Sequence, residues 1–299
     1  MLETRDRYSG IKLVQVNCDL CGSSDLETWD HARANTLNRC RCCGLIFTNP
    51  RVGTPKEKDE LFYAEHYFNR KPRMTPKMMA ARRISYAREV KILEKLRAPG
   101  RILDVGCGTG EFLQALGPGW EKHGCDISTY AVEQAMKKGI SAHLGEFERI
   151  DFGPKSFDVV YFRATLHHTF SPRASLARAA HVLPSGGVLA VVMSNNADGP
   201  CGRLFRGHVR SYEQAHNYLF TSTSLTCYLE QAGFDLIHTD IPYFGTGYVS
   251  WSDFITLLPR YATYLWLKAA GRLNTPATYG FCSPPFWGNY VSVYGVKRA

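Results

Sequence analysis

The sequence predicts an α/β protein in which a doubly wound, mostly parallel sheet follows a small N-terminal cysteine-rich unit. Three observations predict it. After Gly100, short apolar runs alternate with helical segments, which is the pattern of βαβ crossovers. Five of the ten cysteines fall between Cys18 and Cys43. The chain has 299 residues, more than the roughly 100–200 of one typical domain, so a main domain with a small satellite is expected.

The chain divides into three predicted parts. Residues 1–50 are turn-rich and form the cysteine-rich unit, residues 51–100 form a linker and a basic helix, and residues 101–299 form the main domain. Within the main domain, residues 195–220 and 244–286 fit neither a strand nor a crossover helix, and they are expected to be insertions over the substrate side. Hydrophobic residues make up 44% of the chain and charged residues 21%, which excludes wholesale disorder.

The main domain is predicted element by element. A helix over residues 77–96, closed by Pro99-Gly100, precedes the first strand. Strands and helices then alternate, and the last strand is expected at an edge of the sheet. The predicted strands are 101–106, 120–127, 157–162, 187–193, 234–242 and 290–296, and the predicted helices are 111–116, 131–138, 173–183 and 223–232.

The N-terminal cysteines have the spacing of a metal site. Two residues separate Cys18 from Cys21 and Cys40 from Cys43, and eighteen residues lie between the two pairs. This spacing is typical of a structural zinc site with four thiolates. Cys42 lies inside the second pair and is an alternative to Cys40 or Cys43 as a ligand. Four thiolates leave no position for a catalytic water, so the zinc is expected to support folding rather than chemistry.

A glycine-rich turn follows the first strand of the main domain. Gly106, Gly108 and Gly110 stand in a Gly-x-Gly-x-Gly pattern, where the backbone must turn tightly and approach a ligand closely. Glu111 takes the place of the third glycine of the dinucleotide fingerprint, and its carboxylate would repel a pyrophosphate. Asp126 ends the next strand, where an acidic side chain can accept hydrogen bonds from ribose hydroxyls. The pattern favours a cationic nucleoside that carries no phosphate.

This arrangement resembles the class I S-adenosylmethionine-dependent methyltransferases over roughly residues 61–298. The chain is most similar to members with an N-terminal zinc ribbon and, more distantly, to the ubiquinone-type O-methyltransferases. The resemblance implies a Rossmann-like fold and S-adenosylmethionine as the cofactor. It also implies that Asp104 and Gly106 line the methionine moiety, that Gly108 and Gly110 complete the loop, that Asp126 with Ile127 holds the ribose, that Glu146 and Phe147 contact the adenine, and that Tyr67 closes over the cofactor.

The acceptor side of the site is less defined. Methyl transfer needs alignment above all, and a hydroxyl acceptor also benefits from a general base, for which histidine is suited. His168 is the first candidate and His167 the second, with a structural or substrate-orienting role as the alternative. The family that the chain resembles typically carries an acidic-His pair at this place, and the sequence from 165 to 169 departs from it. Four further polar residues could reach the same cleft without an assigned role: His208, His216, Asn195 and Asn196.

The methyl acceptor is predicted to be a small molecule, either a saccharide, a natural product or an isoprenoid-type lipid, methylated on oxygen. Two alternatives remain. One is an RNA methyltransferase, because eleven Lys or Arg residues lie from Arg70 to Arg101. The other is a binding protein that keeps the fold without catalysis.

Residues 251–272 combine bulky apolar side chains with basic ones, a composition that suits contact with a membrane surface. Pro259 is expected to break a helix there. No secretory signal follows Met1, so a cytoplasmic location is expected. The sequence leaves the oligomeric state open.

Overall fold

The computed structural model describes residues 11–32, 35–62, 75–152, 157–273, 275, 278, 282–284 and 288–299. The strands are β1 (Leu13–Val14), β2 (Leu26–Ala32), β3 (Asn35–Cys40), β4 (Ile46–Thr48), β5 (Arg51–Val52), β6 (Arg101–Val105), β7 (Glu121–Asp126), β8 (Ser141–Leu144), β9 (Val159–Arg163), β10 (Val188–Asn195), β11 (Tyr218–Leu219), β12 (Phe234–Asp240) and β13 (Tyr290–Lys297). The helices are α1 (Pro55–Phe62), α2 (Pro76–Leu96), α3 (Glu111–Ala115), α4 (Thr129–Met136), α5 (Pro172–Val182), α6 (Pro200–Phe205), α7 (Ser222–Gln231) and α8 (Trp251–Ala269). Two 3-10 turns span Leu166–His168 and Arg206–His208.

Seven strands form the central sheet in the order β12-β13-β10-β9-β6-β7-β8. The five strands from β10 to β8 are parallel, and β13 runs antiparallel to β10 and to β12. The predicted mostly parallel, doubly wound sheet is therefore confirmed. Strand order reverses at β6, because the chain goes first to β7 and β8 and then returns to β9. Ligands bind at the carboxyl ends of the strands beside such a reversal.

The central strands are buried on both faces, which explains their uninterrupted apolar sequences. All eight residues of β10 and the first four of β9 are buried. Successive residues of a strand point to opposite faces. Ile102 and Tyr161 accordingly belong to one apolar cluster, whereas Leu103 and Phe162 belong to the cluster on the other face.

Polar caps fix where the helices beside the sheet begin. Ser128, Ser171 and Thr221 each accept a hydrogen bond from the backbone N–H three residues later. Such a cap satisfies one of the backbone donors that the first helical turn leaves unpaired. The caps of α4 and α5 place both helix starts just after the loops that follow β7 and β9.

The N-terminal unit forms a second sheet with the strand order β11-β4-β3-β2. Its edge strand β11 comes from the predicted insertion 195–220, and Tyr218 pairs with Phe47 of β4. Cys18, Cys40 and Phe47 belong to the same apolar cluster as the central strands. The unit therefore shares the core of the main domain. The boundaries at residues 50 and 100 stay predictions.

Three expectations differ from the structure. The last strand, β13, lies between β10 and β12 and not at an edge, because the chain inserts it antiparallel to both neighbours. Strand β8 was not predicted, since its four residues are exposed or half-buried and lack an apolar run. Pro259 does not break α8. The missing N–H leaves the carbonyl of Ile255 without its helical partner, but Ile255 is 73% exposed, so water can satisfy that group.

Helix α8 lies on the surface and is anchored by Tyr264 and Leu267, which are buried. Its apolar side chains at Trp251 and Leu258 are 81% and 75% exposed. Among the helices in the described ranges, none combines the length and the apolar character needed to cross a bilayer.

Candidate active site

A cavity of about 660 Å³ opens at the carboxyl ends of the parallel strands. The loops after β6, β7 and β9 line it, together with the end of β10 and residues of α1 and α2. Gly110 instead forms the N-cap of α3, and Tyr67 lies outside the described residues. The other predicted cofactor and catalytic residues all line the cavity: Asp104, Gly106, Gly108, Asp126, Ile127, Glu146, Phe147, His167 and His168.

The glycine loop after β6 turns where the sequence predicts. Gly106, Gly108 and Gly110 have φ angles of 73°, 54° and 81°, which glycine adopts without strain. A methyl group placed on Gly108 would meet no heavy atom within 4 Å, so this part of the loop leaves room for a ligand. The backbone N–H of Gly108 donates to Oδ2 of Asp126 at 2.9 Å. The glycine loop is therefore in direct contact with Asp126, the acidic residue that the sequence predicts to lie beside it.

Asp126 is held from two sides. Besides the bond from Gly108, its Oδ1 accepts from the backbone N–H of Ser128 at 2.9 Å, and Ser128 caps α4. A carboxylate oxygen has more than one lone pair and can accept further hydrogen bonds. The held carboxylate at the tip of β7 therefore suits the two hydroxyl donors of a ribose. Ile127 follows it as an apolar, partly exposed side chain of the cavity wall.

Asp104 is a buried acidic residue of the cavity wall. Its side chain is 3% exposed, and among the described residues its Oδ1 has no hydrogen-bond partner. Burial raises the pKa of Asp104 to about 8, although the nearby Arg163 acts in the opposite direction. An unpaired buried polar atom costs about 1–3 kcal/mol, which a charged donor on a ligand would recover. Asp104 therefore fits the α-ammonium group of S-adenosylmethionine.

The loop after β8 carries the predicted adenine contacts. Oε1 of Glu146 lies 3.5 Å from Nη1 of Arg149, and the side chain is half-buried. Phe147 is buried, and its ring meets that of Phe162 edge to face at a centroid distance of 5.7 Å. The backbone N–H of Gly145 donates to the carbonyl of Asp126 at 2.9 Å. The structure thus brings the predicted adenine and ribose residues to one side of the cavity.

A buried ion pair close to Asp104 was missed by the sequence reasoning. Nε of Arg163, at the end of β9, lies 2.9 Å from Oε2 of Glu89 in α2. Tyr161 donates its hydroxyl hydrogen to the same oxygen at 2.6 Å, and the guanidinium lies 4.6 Å from the ring centroid of Tyr86. Burial alone would lower the pKa of Arg163, but the neighbouring carboxylate of Glu89 holds it well above its usual value. The one feature of the sequence that could have indicated this pair is the arginine that ends the otherwise apolar strand β9.

Three histidines meet on the cavity wall after β9. The ring centroids of His167, His168 and His216 lie 4.4–4.6 Å apart. Burial lowers the pKa of His167 to about 3, and Lys58 contributes. Burial, followed by His167 and Lys58, also holds the pKa of His168 well below its usual value. Both imidazoles are therefore neutral at pH 7. His208, by contrast, packs near Tyr264 in a different part of the molecule.

Hydrogen bonds assign the protons of two of these rings. Nδ1 of His168 lies 3.3 Å from the carbonyl oxygen of Ala215, which can only accept, so Nδ1 carries the proton and Nε2 the lone pair. Nδ1 of His216 accepts the backbone N–H of Glu213 at 3.0 Å, so its proton is on Nε2. The ligand atoms of the three histidines lie within 4.8 Å of one another. However, the protonated Nε2 of His216 cannot bind a metal, and this tautomer argues against a metal centre.

The four predicted zinc ligands converge. The Sγ atoms of Cys18, Cys21, Cys40 and Cys43 lie within 4.8 Å of one another. The distance from Cys18 to Cys43 is 3.4 Å and that from Cys21 to Cys40 is 3.5 Å. Four thiolates at about 2.3 Å from a tetrahedral Zn²⁺ would be about 3.8 Å apart, so the group fits this ion. Cys42 lies outside the group and is 3.2 Å from Oγ of Ser23.

The fold and the site together define a class of protein. A mostly parallel sheet with a glycine loop, a carboxylate suited to a ribose and a buried acid suited to an ammonium group is the arrangement of the class I, Rossmann-like methyltransferases. The profile of a methyltransferase domain family matches residues 79–239, which is more than half of the chain. The chain belongs to this methyltransferase domain family.

Comparison with known proteins supports the same class. Trans-aconitate 2-methyltransferase of Mycolicibacterium gilvum is 35% identical over 124 residues, which cover 40% of this chain and 48% of that protein. The chain spans about half the length of the curated relatives that it matches.

Two solved structures show the shared fold. A chain from a complex between the Haloferax volcanii Trm112 methyltransferase activator and a methyltransferase has a TM-score of 0.52 and 17% identity, covering 74% of this chain and 92% of its own. Phosphoethanolamine N-methyltransferase 2 of Haemonchus contortus, in complex with phosphomonomethylethanolamine and S-adenosylhomocysteine, also has a TM-score of 0.52 and 17% identity, covering 85% of this chain and 62% of its own.

Proposed function

We propose that the protein is an S-adenosylmethionine-dependent methyltransferase acting on a small-molecule acceptor, with oxygen as the methylated atom. The observation that carries the proposal is the buried carboxyl of Asp104, whose Oδ1 has no partner among the described residues. It lies in the same cavity as the Gly108–Asp126 contact. One group suits an ammonium and the other a ribose, and S-adenosylmethionine carries both. The neutral histidines on the same wall favour catalysis over binding alone, and turnover of S-adenosylmethionine would distinguish the two.

The residues of this chain would bind and orient the two reactants. When bound, S-adenosylmethionine supplies an electrophilic methyl group on a sulfonium. Transfer is an in-line displacement, so alignment of the acceptor oxygen with that carbon contributes most of the rate. His168 would accept the hydroxyl proton at Nε2, because Nδ1 already donates to the carbonyl of Ala215. His167 stays the second candidate. The four cysteines would hold zinc away from these groups and contribute to folding.

Titration calorimetry with S-adenosylhomocysteine tests the cofactor assignment. The zinc-loaded protein is expected to bind one equivalent, and Asp126→Asn to weaken binding about 10- to 100-fold, as loss of a hydrogen bond to a charged group does. Asp151→Asn is the matched control, since the Asp151 side chain is 95% exposed. Absence of uptake by the wild-type protein would sink the proposal. A screen with labelled methyl groups over glycans, lipid quinones and hydroxy acids would then identify the acceptor class.

The RNA alternative has less support. Three arginines of the basic stretch are paired with acidic residues of the main domain. Arg88 pairs with Asp240, Arg97 lies 2.6 Å from Asp158, and Arg101 lies 3.1 Å from Glu121. These pairs reduce the positive charge that the stretch offers to phosphates. RNA binding that fell steeply with salt concentration would restore this alternative.

We also propose that α8 contacts an anionic membrane surface. Trp251, Ile255 and Leu258 follow one another at helical spacing and are 81%, 73% and 75% exposed. At the other end of the helix, the Arg272 guanidinium lies 5.9 Å from the ring centroid of Trp266. Exposed aromatic residues with basic neighbours are the composition of interfacial helices.

Sedimentation with vesicles tests the membrane proposal. The wild-type protein is expected to sediment with vesicles of phosphatidylcholine and phosphatidylglycerol, and a variant with serine at positions 251, 255 and 258 is expected to stay in solution. Leu144→Ser is the control, because Leu144 is an exposed apolar residue of β8. Equal sedimentation of the triple variant and the wild type would contradict the role of α8.

A further inference from the structure

A buried lysine lies on the wall of the cavity without a carboxylate partner. Lys58 of α1 is 4% exposed, and its Nζ donates to the backbone carbonyl of His168 at 2.7 Å. An ammonium has three donors, and no ion pair is formed by Lys58 among the described residues. Burial, with the charge of Arg51, holds the pKa of Lys58 well below its usual value. A buried ammonium without a counter-ion is costly, which is why the neutral amine is favoured, and an anion bound beside Nζ would restore the charged form.

The nearest basic side chain, Arg51, adds a second positive charge and does not reach the cavity. Arg51 lies behind Lys58, where Nη1 donates to the hydroxyl of Tyr218 at 2.9 Å and Nη2 to the carbonyl of Phe170 at 2.8 Å. These bonds hold Arg51 within the protein, and it is not part of the cavity wall. Lys58 also lies 5.4 Å from the ring centroid of Phe170. One cation with unused donors therefore lines the cavity at this place.

Two further polar atoms on the same wall have no partner. Oδ1 of Asn195 and Nδ1 of His167 are buried and, among the described residues, make no hydrogen bond. The orientation of the Asn195 amide is fixed, because Nδ2 donates at 2.7 Å to Nδ1 of His216, a nitrogen that also accepts from the Glu213 backbone. Oδ1 therefore stays an unused acceptor. Lys58, His167 and Asn195 all line the cavity that also holds the predicted cofactor residues.

We infer that the acceptor carries a carboxylate, which binds the ammonium of Lys58, and a hydroxyl, which lies between Asn195 and the histidines. This inference rests on the proposed function and names its substrate class. The carboxylate supplies the missing counter-charge and takes the unused donors of Lys58. The hydroxyl donates its one hydrogen to Oδ1 of Asn195 when the acceptor first binds, and on methylation that proton would pass to Nε2 of His168. Charge-assisted hydrogen bonds of this kind are stronger than neutral ones.

The donors at the cavity wall favour a carboxylate over a phosphate. Within the described residues, Lys58 has two unused N–H donors there, whereas Arg51 adds a second positive charge but does not reach the wall. A carboxylate has two oxygens for these two donors. A phosphate monoester has three terminal oxygens and about two negative charges, and Lys58 alone would leave one oxygen without a donor in a buried environment. The backbone carbonyl of His168 accepts a hydrogen bond from Lys58 and so keeps Nζ close to the predicted base.

Acetate is the smallest probe of this site and requires no knowledge of the full acceptor. Acetamide has the same shape without the charge. Nuclear magnetic resonance titrations of the full zinc-loaded protein, with and without S-adenosylhomocysteine, would follow the backbone amides of residues 56–62 and 165–169. Acetate is expected to give saturable shifts there and acetamide none at the same concentrations. Lys58→Met should weaken acetate binding about 10- to 100-fold, the effect of losing a hydrogen bond to a charged group.

Lys56→Met is the matched control, because Lys56 belongs to the same helix and is exposed. It should leave the acetate titration unchanged. Retention of S-adenosylhomocysteine binding by Lys58→Met shows that the variant is folded. Equal shifts with acetate and acetamide, an unchanged titration in Lys58→Met, or tighter binding of inorganic phosphate would each overturn the inference. If the wild type binds acetate but not S-adenosylhomocysteine, the carboxylate site stands and the proposed methyltransferase activity fails.

Discussion

Replacing Asp104 with asparagine removes one charge from the cavity wall while almost preserving the volume of the side chain. In the free protein burial raises the pKa of Asp104 to about 8, so the carboxyl is mainly protonated at pH 7. Binding of an ammonium group favours the ionised form. At pH 7 the cofactor must therefore displace a proton, and each pH unit below 8 costs about 1.4 kcal/mol of binding free energy.

Because the pKa of Asp104 is raised, the affinity for the cofactor should increase with pH. The affinity for S-adenosylhomocysteine is expected to rise about tenfold per unit from pH 6 to pH 7, and the rise should end near pH 8, where Asp104 is ionised in the free protein. Asp104→Asn should bind about 10- to 100-fold more weakly at pH 8, because it loses a hydrogen bond to a charged group. In this variant the dependence on pH should be absent below pH 7.

Isothermal titration calorimetry in buffers of different ionisation enthalpy measures both quantities. The wild type should release about one proton per bound ligand at pH 7, as expected for a carboxyl that is about nine-tenths protonated one unit below its pKa. Asp104→Asn should release none. An affinity that is constant between pH 6 and pH 8, or proton release that persists in Asp104→Asn, would refute the role given to this carboxyl.

Three other predictions concern the base, the metal site and the buried ion pair. His168→Ala is expected to lower kcat about 10²- to 10⁴-fold with an unchanged cofactor Kd, and unchanged turnover in steady-state kinetics would remove His168 as the base. Mass spectrometry of the native wild type is expected to detect one zinc, which Cys40→Ser should lose together with part of its Tm, whereas one equivalent of zinc retained by the variant would contradict the assignment. Glu89→Gln should lower the free energy of unfolding by about 3–5 kcal/mol, because it leaves Arg163 buried without its counter-charge. Glu133→Gln, at an exposed position of α4 and measured in the same denaturant titration, should change it by under about 0.5 kcal/mol.

The sequence predicts which residues come together where their separation along the chain is short. The glycine loop lies between a strand and a helix, and the strand that follows ends at Asp126, so the topology alone brings them together. The two cysteine pairs each come from one turn, and their convergence required only that β2 and β3 pair. In both cases only one or two helices or strands separate the residues that meet, so their meeting could be predicted from the sequence.

The missed features depend on contacts between distant parts of the chain. Lys58 lies in a short helix of mixed polarity, and nothing in its neighbours marks it as buried. His216 was expected to be able to reach the cleft, but its place beside His167 and His168 depends on the pairing of β11 with the N-terminal sheet, between residues about 170 apart in the chain, which no local pattern encodes. Arg163 and Glu89 are likewise brought together only by the docking of α2 on the sheet. The position of β13 depends on strand order, which its own sequence does not specify.

The N-terminal sheet is completed by β11, and Asp19 accepts hydrogen bonds from Ser171, Arg173 and Tyr228 of the main domain. Excision of residues 1–52 would therefore uncover Tyr218 and Phe220, remove an acceptor at the start of α5 and free the segment that delivers Lys58. A chimera that carries the cysteine-bearing segment onto another methyltransferase would therefore have to include residues 195–220 and the partners of Asp19 as well. The segment folds as part of the main domain, although more than a hundred residues separate it from β11 in the chain.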